Sequence, residues 1–171
     1  ELKMEIEPGT FVVANSGHII TKIIDKKLTN ELNFLIVDGG MELLTRPLLY
    51  GSEHPITIVR QDGTLLSSEY DQAAVEELKS FGIVGRCCES GDSVRLDNDG
   101  NIVPVQIAEP EIGDYVVIGG TGAYSESMSP ENYNSHRKPG AVMKTRSGEL
   151  VQIRKKQVRA QLTENELDVT L

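Results

Sequence analysis

Cysteine is scarce in this sequence of 171 residues, which contains two, Cys87 and Cys88, side by side. Neighbouring cysteines cannot join distant segments through a disulfide, and no Cys-x-x-Cys pair is present that would favour zinc binding or redox chemistry. The three histidines are scattered, and none is spaced with cysteines or carboxylates as a metal-ligand set. These absences predict a protein without a metal site, in a reducing, cytoplasmic setting.

Basic residues and long apolar runs are also lacking. The 17 lysines and arginines are outnumbered by 26 acidic residues, so a net charge of −9 leaves no basic stripe to follow nucleic-acid phosphates. No apolar run approaches the roughly 20 residues needed to cross a bilayer, and residues 1–7 do not have the pattern of a signal peptide. With 39% hydrophobic residues, the composition is that of one soluble globular unit, and we expect neither nucleic acid nor membrane as a partner.

Short β-prone runs separated by turn signals dominate the sequence. Residues 98–101 and 146–149 separate adjacent runs as hairpin turns, because glycine and asparagine accept the positive φ that such turns need. The pattern predicts a mainly β fold, an antiparallel β-barrel or sandwich with small helical insertions. The predicted strands are residues 10–14, 18–24, 32–37, 55–59, 93–96, 102–107, 115–118, 141–145 and 150–154.

Helical patterns are confined to three places. Residues 41–50 are interrupted by a proline, residues 71–80 place Val75 and Leu78 on one face, and a polar tail begins at Lys155. Strands and helices do not alternate regularly, which argues against a doubly wound sheet.

The polar segment after the cysteines suggests a chemical role for Cys88. Glu89 and Asp92 flank it and should raise its thiol pKa above the usual value of about 8.5, which argues against a thiolate nucleophile. A thiol that stays protonated can donate a proton, a role worth about 10²- to 10⁴-fold in rate. The alternative is a buried structural cysteine, although a polar, glycine-containing segment after a β-prone run favours an exposed loop.

Arg46 is the candidate for binding an anion. It lies between Leu43 and Leu48 in a short segment that contains a proline, which places the guanidinium on structure. A guanidinium binds a carboxylate through two parallel hydrogen bonds. The alternative is a surface arginine paired with Glu42 or another acid.

Tyr124 follows the glycine-rich residues 119–123, which would let the backbone and ring closely approach a planar cofactor. No helix is predicted to open after this run, so it is neither a dinucleotide fingerprint nor a P-loop. A tyrosine in the core or in a turn is the alternative. Residues 126–140 are long and irregular enough to be a site loop or merely a mobile one. His54 is interpreted as a solvated loop residue, and the alternative is a position near the site.

Five sequence blocks occur in a fixed order: Glu7-Pro8-Gly9, Arg46-Pro47-Leu48-Leu49-Tyr50, Cys88-Glu89-Ser90-Gly91-Asp92, Gly122-Ala123-Tyr124 and Tyr133-Asn134. Together they resemble the C-terminal part of diaminopimelate decarboxylases, which belong to the pyridoxal phosphate-dependent ornithine, diaminopimelate and arginine decarboxylases. The resemblance spans nearly the whole chain. It implies that the part carrying the cofactor lysine would lie before Glu1, so we expect a cleaved or split product that is inactive alone.

The resemblance also implies an organisation. Residues 1–14 would end the preceding pyridoxal phosphate-binding α/β barrel, and residues 15–171 would form a C-terminal β-barrel domain. A homodimer with active sites at the interface is also implied by the resemblance. Tyr133 and Asn134 are interpreted as residues that shape a loop.

Residue roles follow from the matched blocks. The resemblance implies that Cys88 is the proton donor, reaching the partner subunit's active site, and that Glu89 binds the distal ammonium of the substrate. Arg46 and Tyr50 are implied to contact the substrate, and Tyr124 both the pyridoxal phosphate and the substrate.

The first block departs from the family pattern at its fourth position. Glu7 and Gly9 match the residues that approach the cofactor phosphate, but Thr10 stands where the family has an arginine that helps hold a substrate carboxylate. Losing a hydrogen bond to a charged group costs about 1.5–3 kcal/mol. Either Arg46 holds the carboxylate alone or the substrate differs. The Thr10 hydroxyl remains a candidate for the phosphate, and the alternative is that Thr10 is present only for its β-propensity.

The implied function is decarboxylation of meso-diaminopimelate to L-lysine and carbon dioxide, in lysine biosynthesis, with pyridoxal 5'-phosphate as cofactor. Thr10 leaves a related decarboxylase open, acting on lysine, ornithine, arginine or a carrier-tethered glutamate. An alternative of another class is a noncatalytic β-domain that only dimerises or binds a partner.

Overall fold

The computed structural model describes residues 2–71 and 77–169, and the chain divides into two compact units, Glu1–Ser129 and Pro130–Leu171. The strands are β1 (Ile19–Lys27), β2 (Asn33–Val37), β3 (Ile56–Val59), β4 (Leu65–Ser68), β5 (Lys79–Val84), β6 (Val105–Ile107), β7 (Tyr115–Ile118), β8 (Ala141–Lys144) and β9 (Leu150–Arg154). The helices are α1 (Gly9–Val13), α2 (Arg46–Tyr50) and α3 (Ser125–Met128), with 3₁₀ turns at Ala14–Ser16, Tyr133–Ser135 and Arg159–Leu162.

Strands β1 to β7 form one mixed sheet in the first unit, in the order β4-β3-β7-β1-β2-β5-β6. Strands β2 and β5 run parallel, and the other neighbouring pairs are antiparallel. The backbone N–H of Ala108, just after edge strand β6, donates to the hydroxyl of Ser67 on the opposite edge strand β4 at 3.2 Å. The sheet is therefore nearly closed on itself. The prediction of a mainly β, barrel-like domain with small helical insertions is confirmed, with one parallel pair that the sequence did not predict.

The core lies inside this sheet because alternate residues of neighbouring strands point the same way. In β3, Ile56 and Ile58 are fully buried, while the residues between and after them are half-buried. Ile118 of β7 is paired with Ile56 on one side and with Ile19 of β1 on the other. Burying one such side chain contributes about 1.5–3 kcal/mol, and a register slip of one residue would expose all of them.

Residues 10–14 were predicted as a strand, and this prediction is wrong. They lie mainly in α1, where the backbone N–H of Val12 donates to the carbonyl of Pro8 at 3.1 Å. No residue of α1 is buried. The β-branched side chains find no neighbouring strand among the described residues, so local hydrogen bonds decide the conformation.

The helix predicted over residues 71–80 is contradicted at its end, because Lys79 and Ser80 begin strand β5. Residues 72–76 of that prediction lie outside the described residues. Strand β5 is held between β2 and β6, and this pairing outweighs the local helical pattern.

The turn predicted at residues 98–101 is present, but the strand predicted just before it is not. The backbone N–H of Asp97 donates to the carbonyl of Asn101 at 2.9 Å, and Gly100 has the positive φ of 81° that the turn needs. Residues 93–96 make isolated bridges at their two ends instead of a continuous strand.

The second unit contains the antiparallel hairpin of β8 and β9. Its turn at residues 146–149 was predicted: the N–H of Thr145 donates to the carbonyl of Glu149 at 2.8 Å, and Gly148 has a φ of 88°. Both strands of this hairpin match the prediction.

Helices are short throughout the described residues, and the longest α-helices, α1 and α2, have five residues each. The tail predicted as helical from Lys155 contains the single 3₁₀ turn Arg159–Leu162. In the described part of the chain, no helix has the length and apolarity needed to cross a membrane.

Candidate active site

Helix α2 positions Arg46 and Tyr50. The helix occupies only the second half of the predicted residues 41–50, because Pro47 lies in its first turn, where a missing N–H costs nothing. Gly51 ends it with a φ of 59° and donates its N–H to the carbonyl of Pro47 at 2.9 Å. Since Arg46 and Tyr50 are four residues apart, their side chains share one face of the helix.

The guanidinium of Arg46 is held by aromatic rings. Its central carbon lies 5.2 Å from the ring centroid of Tyr50 and 5.6 Å from that of Tyr124, and one of its nitrogens lies 3.7 Å from the sulfur of Met128. Among residues 2–71 and 77–169, no carboxylate forms an ion pair with Arg46. The surface ion pair with Glu42, left open as an alternative, is therefore not formed. The structure instead brings together Arg46 and the two tyrosines that the sequence singled out.

Tyr124 is delivered to this site by the glycine-rich residues 119–123. Gly120 has a φ of 66°, and Tyr124 itself has a φ of 60°. A Cβ atom on Gly122 would lie 2.0 Å from the carbonyl oxygen of Val13, so a glycine is needed where the two segments pass. The backbone N–H of Gly122 donates to the carbonyl of Ala14 at 2.8 Å and fixes this approach.

The block at Glu7 and Gly9 reaches the same place. A Cβ atom on Gly9 would lie 3.1 Å from the hydroxyl of Tyr124, so this glycine leaves room beside the tyrosine. Gly9 and Thr10 begin α1, and the backbone N–H of Gly9 donates to the carbonyl of Glu7 at 2.9 Å. Glu7, Gly9 and Thr10 are all exposed.

Cys88 and Glu89 lie on a separate loop whose ends are fixed by Asp92. The buried carboxylate of Asp92 accepts the N–H of Cys87 at 2.6 Å and the N–H of Met41 at 2.7 Å. Cys88 and Glu89 are exposed, as the loop interpretation predicted. Sequence reasoning treated Asp92 only as a charge near the thiol and missed this structural role.

The loop also touches α2 directly. A Cβ atom on Gly91 would lie 2.6 Å from the side chain of Leu48, two residues after Arg46 in the same helix. The loop with Cys88 is therefore packed on the helix that carries Arg46 and Tyr50.

The neighbouring Cys87 has the surroundings of an unreactive thiol. Burial raises its pKa to about 12, with the carboxylates of Glu42 and Asp92 adding to the effect. Its sulfur lies 3.8 Å from Glu42, whose other oxygen lies 3.7 Å from a nitrogen of Arg86. Of the two adjacent cysteines, Cys87 is half-buried against acids and Cys88 faces out.

His54 is buried, which contradicts its interpretation as a solvated loop residue. Only 6% of its surface is exposed, and its Nδ1 lies 3.1 Å from the carbonyl oxygen of Gly119. Burial lowers the pKa of His54, and the nearby charges of Arg46 and Arg95 lower it further, against the opposing effect of the hydrogen bond to Gly119. The polar and proline neighbours of His54 in the sequence gave no local signal of this burial.

Tyr133 and Asn134 lie in the second unit, in a 3₁₀ turn in which Asn134 has a φ of 51°. The backbone N–H of His136 donates to the carbonyl of Tyr133 at 3.1 Å. This local geometry is that of a loop bend, as the sequence predicted.

Comparison with known proteins shows the family to which the chain belongs. The family model described as pyridoxal-dependent decarboxylase, C-terminal sheet domain, matches residues 10–122. The diaminopimelate decarboxylase of Escherichia coli strain K12 is 41% identical over 134 residues, which cover 78% of this chain and 30% of that protein.

Solved structures give the same result. A crystal structure of diaminopimelate decarboxylase aligns with a TM-score of 0.81 and 34% identity, over 92% of this chain and 35% of that one. The diaminopimelate decarboxylase from Helicobacter pylori complexed with L-lysine aligns with a TM-score of 0.73 and 30% identity, over 94% of this chain and 34% of that one. The chain thus spans about a third of the length of these relatives. It belongs to the pyridoxal-dependent decarboxylase family and contains the C-terminal sheet domain of that family.

Proposed function

We propose that the complete protein containing this chain decarboxylates meso-diaminopimelate to L-lysine and carbon dioxide, a step of lysine biosynthesis, with pyridoxal 5'-phosphate as cofactor. The observation that carries the proposal is the Arg46 guanidinium, which lies between two tyrosine rings without a carboxylate partner in the described residues. Diaminopimelate decarboxylases are similar to this chain in sequence and fold, and the structure of one of them was solved with L-lysine.

The residues around Tyr124 fit such a cofactor. The ring of Tyr124 is 52% exposed, and its hydroxyl faces the space that a side chain at Gly9 would fill. Thr10, exposed at the start of α1, offers its hydroxyl as a donor to a phosphate oxygen. Tyr124, Gly9, Thr10 and the backbone at Glu7 would hold the cofactor, which, when bound, withdraws electrons from the bond that breaks.

Arg46 and Tyr50 orient the substrate. The fork of Arg46 binds the carboxylate that is retained, and the tyrosine rings fix the plane of the guanidinium without neutralising its charge. This carboxylate is the group that distinguishes diaminopimelate from lysine, ornithine and arginine. Because Thr10 replaces an arginine of the family pattern, Arg46 makes this contact alone.

Cys88 acts at the reacting carbon, and Glu89 acts at the distal end of the substrate. The exposed thiol of Cys88 donates the proton that replaces the departing carboxylate, and Glu89 pairs with the distal ammonium of the substrate. Both residues act in the active site of a second subunit, so the working protein is a homodimer. We place this protein in the cytoplasm.

The chain divides functionally near the end of α1. Residues 1–14 form the end of a cofactor-binding α/β barrel, and residues 15–171 form the C-terminal β-barrel domain. Support comes from α1, in which no residue is buried within this chain, whereas the sheet that follows has its own core.

The test is carbon dioxide release by the complete protein with pyridoxal 5'-phosphate, measured in parallel on meso-diaminopimelate, lysine, ornithine and arginine. We expect kcat/KM for diaminopimelate to exceed the others by about tenfold or more, because the other three substrates lack the carboxylate that Arg46 would bind. Preference for another amino acid would contradict the proposal and would indicate that the arginine-to-threonine difference at Thr10 accompanies a change of substrate. If no carbon dioxide is released from any of the four amino acids, the proposal is contradicted. That result would favour a carrier-tethered glutamate as substrate or a noncatalytic dimerisation domain.

A further inference from the structure

The buried imidazole of His54 has no role in the reaction proposed above, yet its contacts are specific. Its Nδ1 lies 3.1 Å from the carbonyl oxygen of Gly119, and a carbonyl only accepts hydrogen bonds, so Nδ1 carries the proton. Burial lowers the pKa of the ring and so favours its neutral form, and the charges of Arg46 and Arg95 act in the same direction. His54 is therefore a neutral imidazole that donates from Nδ1 and has an acceptor at Nε2.

The backbone of His54 is fixed independently of its ring. Its carbonyl accepts a hydrogen bond from Arg95 at 3.0 Å, and the same guanidinium binds both carboxylate oxygens of Glu69 at 2.9 and 2.8 Å. Glu69 in turn accepts the backbone N–H of Ile56 at 2.8 Å. This partly buried ion pair gives the imidazole a rigid base.

Gly119 is held by two consecutive residues. Its carbonyl accepts from His54, and its N–H donates to the carbonyl of Pro55 at 2.9 Å. Gly119 directly follows strand β7, and the next residue, Gly120, turns the chain with a φ of 66°. The direction in which residues 119–124 leave the sheet is therefore set at this point.

The other ring nitrogen of His54, Nε2, has no hydrogen-bond partner among the described residues. The same holds for Nε of Arg95. Both side chains line an open cavity of about 260 Å³ together with Glu53, Pro55 and Glu69. The hydrogen bond from Nδ1 to Gly119 is thus the contact by which the imidazole acts on its surroundings.

We propose that His54 is a positioning residue for Tyr124. By holding the carbonyl of Gly119, its Nδ1–H fixes residues 119–124 so that the ring of Tyr124 stays beside Arg46. His54 also follows Gly51, which ends the helix carrying Arg46, so one short segment links both parts of the site. The catalytic readout of this proposal rests on the proposed function.

The test compares three variants of the complete protein. His54→Asn keeps an amide N–H near the position of Nδ1, His54→Gln moves it toward the position of Nε2, and His54→Leu removes it. We expect His54→Leu and His54→Gln to lower kcat/KM by about tenfold, and His54→Asn to stay within about threefold of the wild type. Equal losses in all three variants, or no loss in any, would overturn the proposal.

A double-mutant cycle separates positioning from general destabilisation. In a Tyr124→Ala background, His54→Leu should cost less than about twofold, because the residue through which it acts is already gone. Full additivity of the two losses would assign His54 a structural role and reject the proposal. If the wild type releases no carbon dioxide from any amino acid, the proposed function fails, and the same cycle is then read on the affinity for pyridoxal 5'-phosphate.

A spectroscopic signature tests the hydrogen bond without any activity. In protein labelled with ¹⁵N-histidine, the resonances of His54, assigned by their loss in His54→Asn, should show a protonated Nδ1 and an unprotonated Nε2 at neutral pH. The opposite tautomer would overturn the proposal, whatever the outcome of the activity assays.

Discussion

Aromatic rings hold the guanidinium of Arg46, which has no acidic partner among the described residues. Cation–π contacts with Tyr50 and Tyr124, at 5.2 and 5.6 Å, are each worth about 0.5–2 kcal/mol and orient the guanidinium. An acidic partner would orient it equally well but would neutralise the charge that a substrate carboxylate needs. The two rings therefore provide order and leave the charge available.

Replacing Arg46 by lysine should expose this role. Lysine keeps the charge but loses the planar fork, and the loss of one hydrogen bond to a charged group costs about 1.5–3 kcal/mol. We expect kcat/KM of the complete protein for meso-diaminopimelate to fall by about tenfold or more, with the urea midpoint unchanged. Arg60→Lys, at an exposed position in a turn, is the matched control. Equal activity of the two variants would rule out Arg46 as the carboxylate-binding group.

The adjacent cysteines provide an internal control for proton donation. Cys88→Ala should lower kcat of the complete protein by about 10²-fold or more, because the donor is lost. Cys87→Ala should leave kcat within about threefold of wild type, since the Cys87 thiol, with a pKa of about 12, lies half-buried beside Glu42. Steady-state kinetics on both variants measure the two effects. A larger loss of kcat in Cys87→Ala than in Cys88→Ala would assign proton donation to Cys87.

Single residues were predictable from sequence where a motif carried them and were missed where only tertiary contacts define them. Arg46, Tyr50 and Tyr124 were predicted from their blocks and lie together. Asp92 was in a recognised block, but its bonds to Met41 and Cys87 depend on how two distant loops meet. The burial of His54 is likewise decided by residues distant in sequence.

At the scale of elements, the crossing of residues 119–124 over residues 13–17 decides where Tyr124 points. The N–H of Thr121 donates to the carbonyl of Gly17 at 3.0 Å, and a Cβ atom on Gly17 would lie 2.5 Å from the Cα of Gly122. Two glycines therefore face each other, and neither position has room for a side chain.

Gly122→Ala should force the two segments apart. Its Cβ atom would lie 2.0 Å from the carbonyl oxygen of Val13, and overpacking of this kind costs about 1–3 kcal/mol. We expect a lower free energy of unfolding in urea together with weaker binding of pyridoxal 5'-phosphate, because Tyr124 moves with the segment. Gly140→Ala, where the nearest atom would lie 3.3 Å away, is the control. A fully stable Gly122→Ala variant would contradict the close approach.

Strands β1 and β5 are joined by an ionic contact. The amines of Lys26 and Lys79 donate to the two oxygens of Glu109 at 2.8 and 2.6 Å. These hydrogen bonds and charges, those of Lys26 first, lower the pKa of Glu109 from its ordinary value of 4.5 to about 2. Because the folded-state pKa is the lower one, this stabilisation is fully present above about pH 4.5 and is lost as the pH falls toward about 2.

Glu109→Gln should therefore lower the free energy of unfolding near neutral pH and have a vanishing effect near pH 2. The effect should also shrink in high salt, since the ion pairs are partly exposed. Urea denaturation across this pH range measures the difference, with the exposed Glu111→Gln as control. A difference that does not change with pH would show that the charge of Glu109 plays no part.

Strands and helices matched the sequence prediction where hydrophobic alternation was strong. They differed from it where pairing with distant strands determined the conformation. Strands β1, β2, β3 and β7 have buried residues in alternation and were predicted. Strand β4 was missed, because its buried residues are two serines, Ser67 and Ser68. In α1, β-prone residues lack a neighbouring strand in the described chain and form a helical turn instead.

At the scale of the whole molecule, helix α2 holds Arg46 and Tyr50 next to Tyr124, and the loop with the exposed thiol of Cys88 packs against the same helix. The sheet domain was predictable because its strands, turns and motif order are local features of the sequence. The near closure of the sheet and its parallel pair were not, because both arise from strands far apart in the chain. The chain also spans about a third of the length of its relatives.

One measurement tests the central claim most directly: carbon dioxide release from meso-diaminopimelate, with pyridoxal 5'-phosphate, by the complete protein and by residues 1–171 alone at equal concentration. The account predicts turnover by the complete protein and none by residues 1–171, because the proposed substrate and proton contacts lie in these residues, whereas the proposed cofactor-binding barrel lies mostly outside them. Turnover by residues 1–171 alone, or no release from the complete protein, would contradict it.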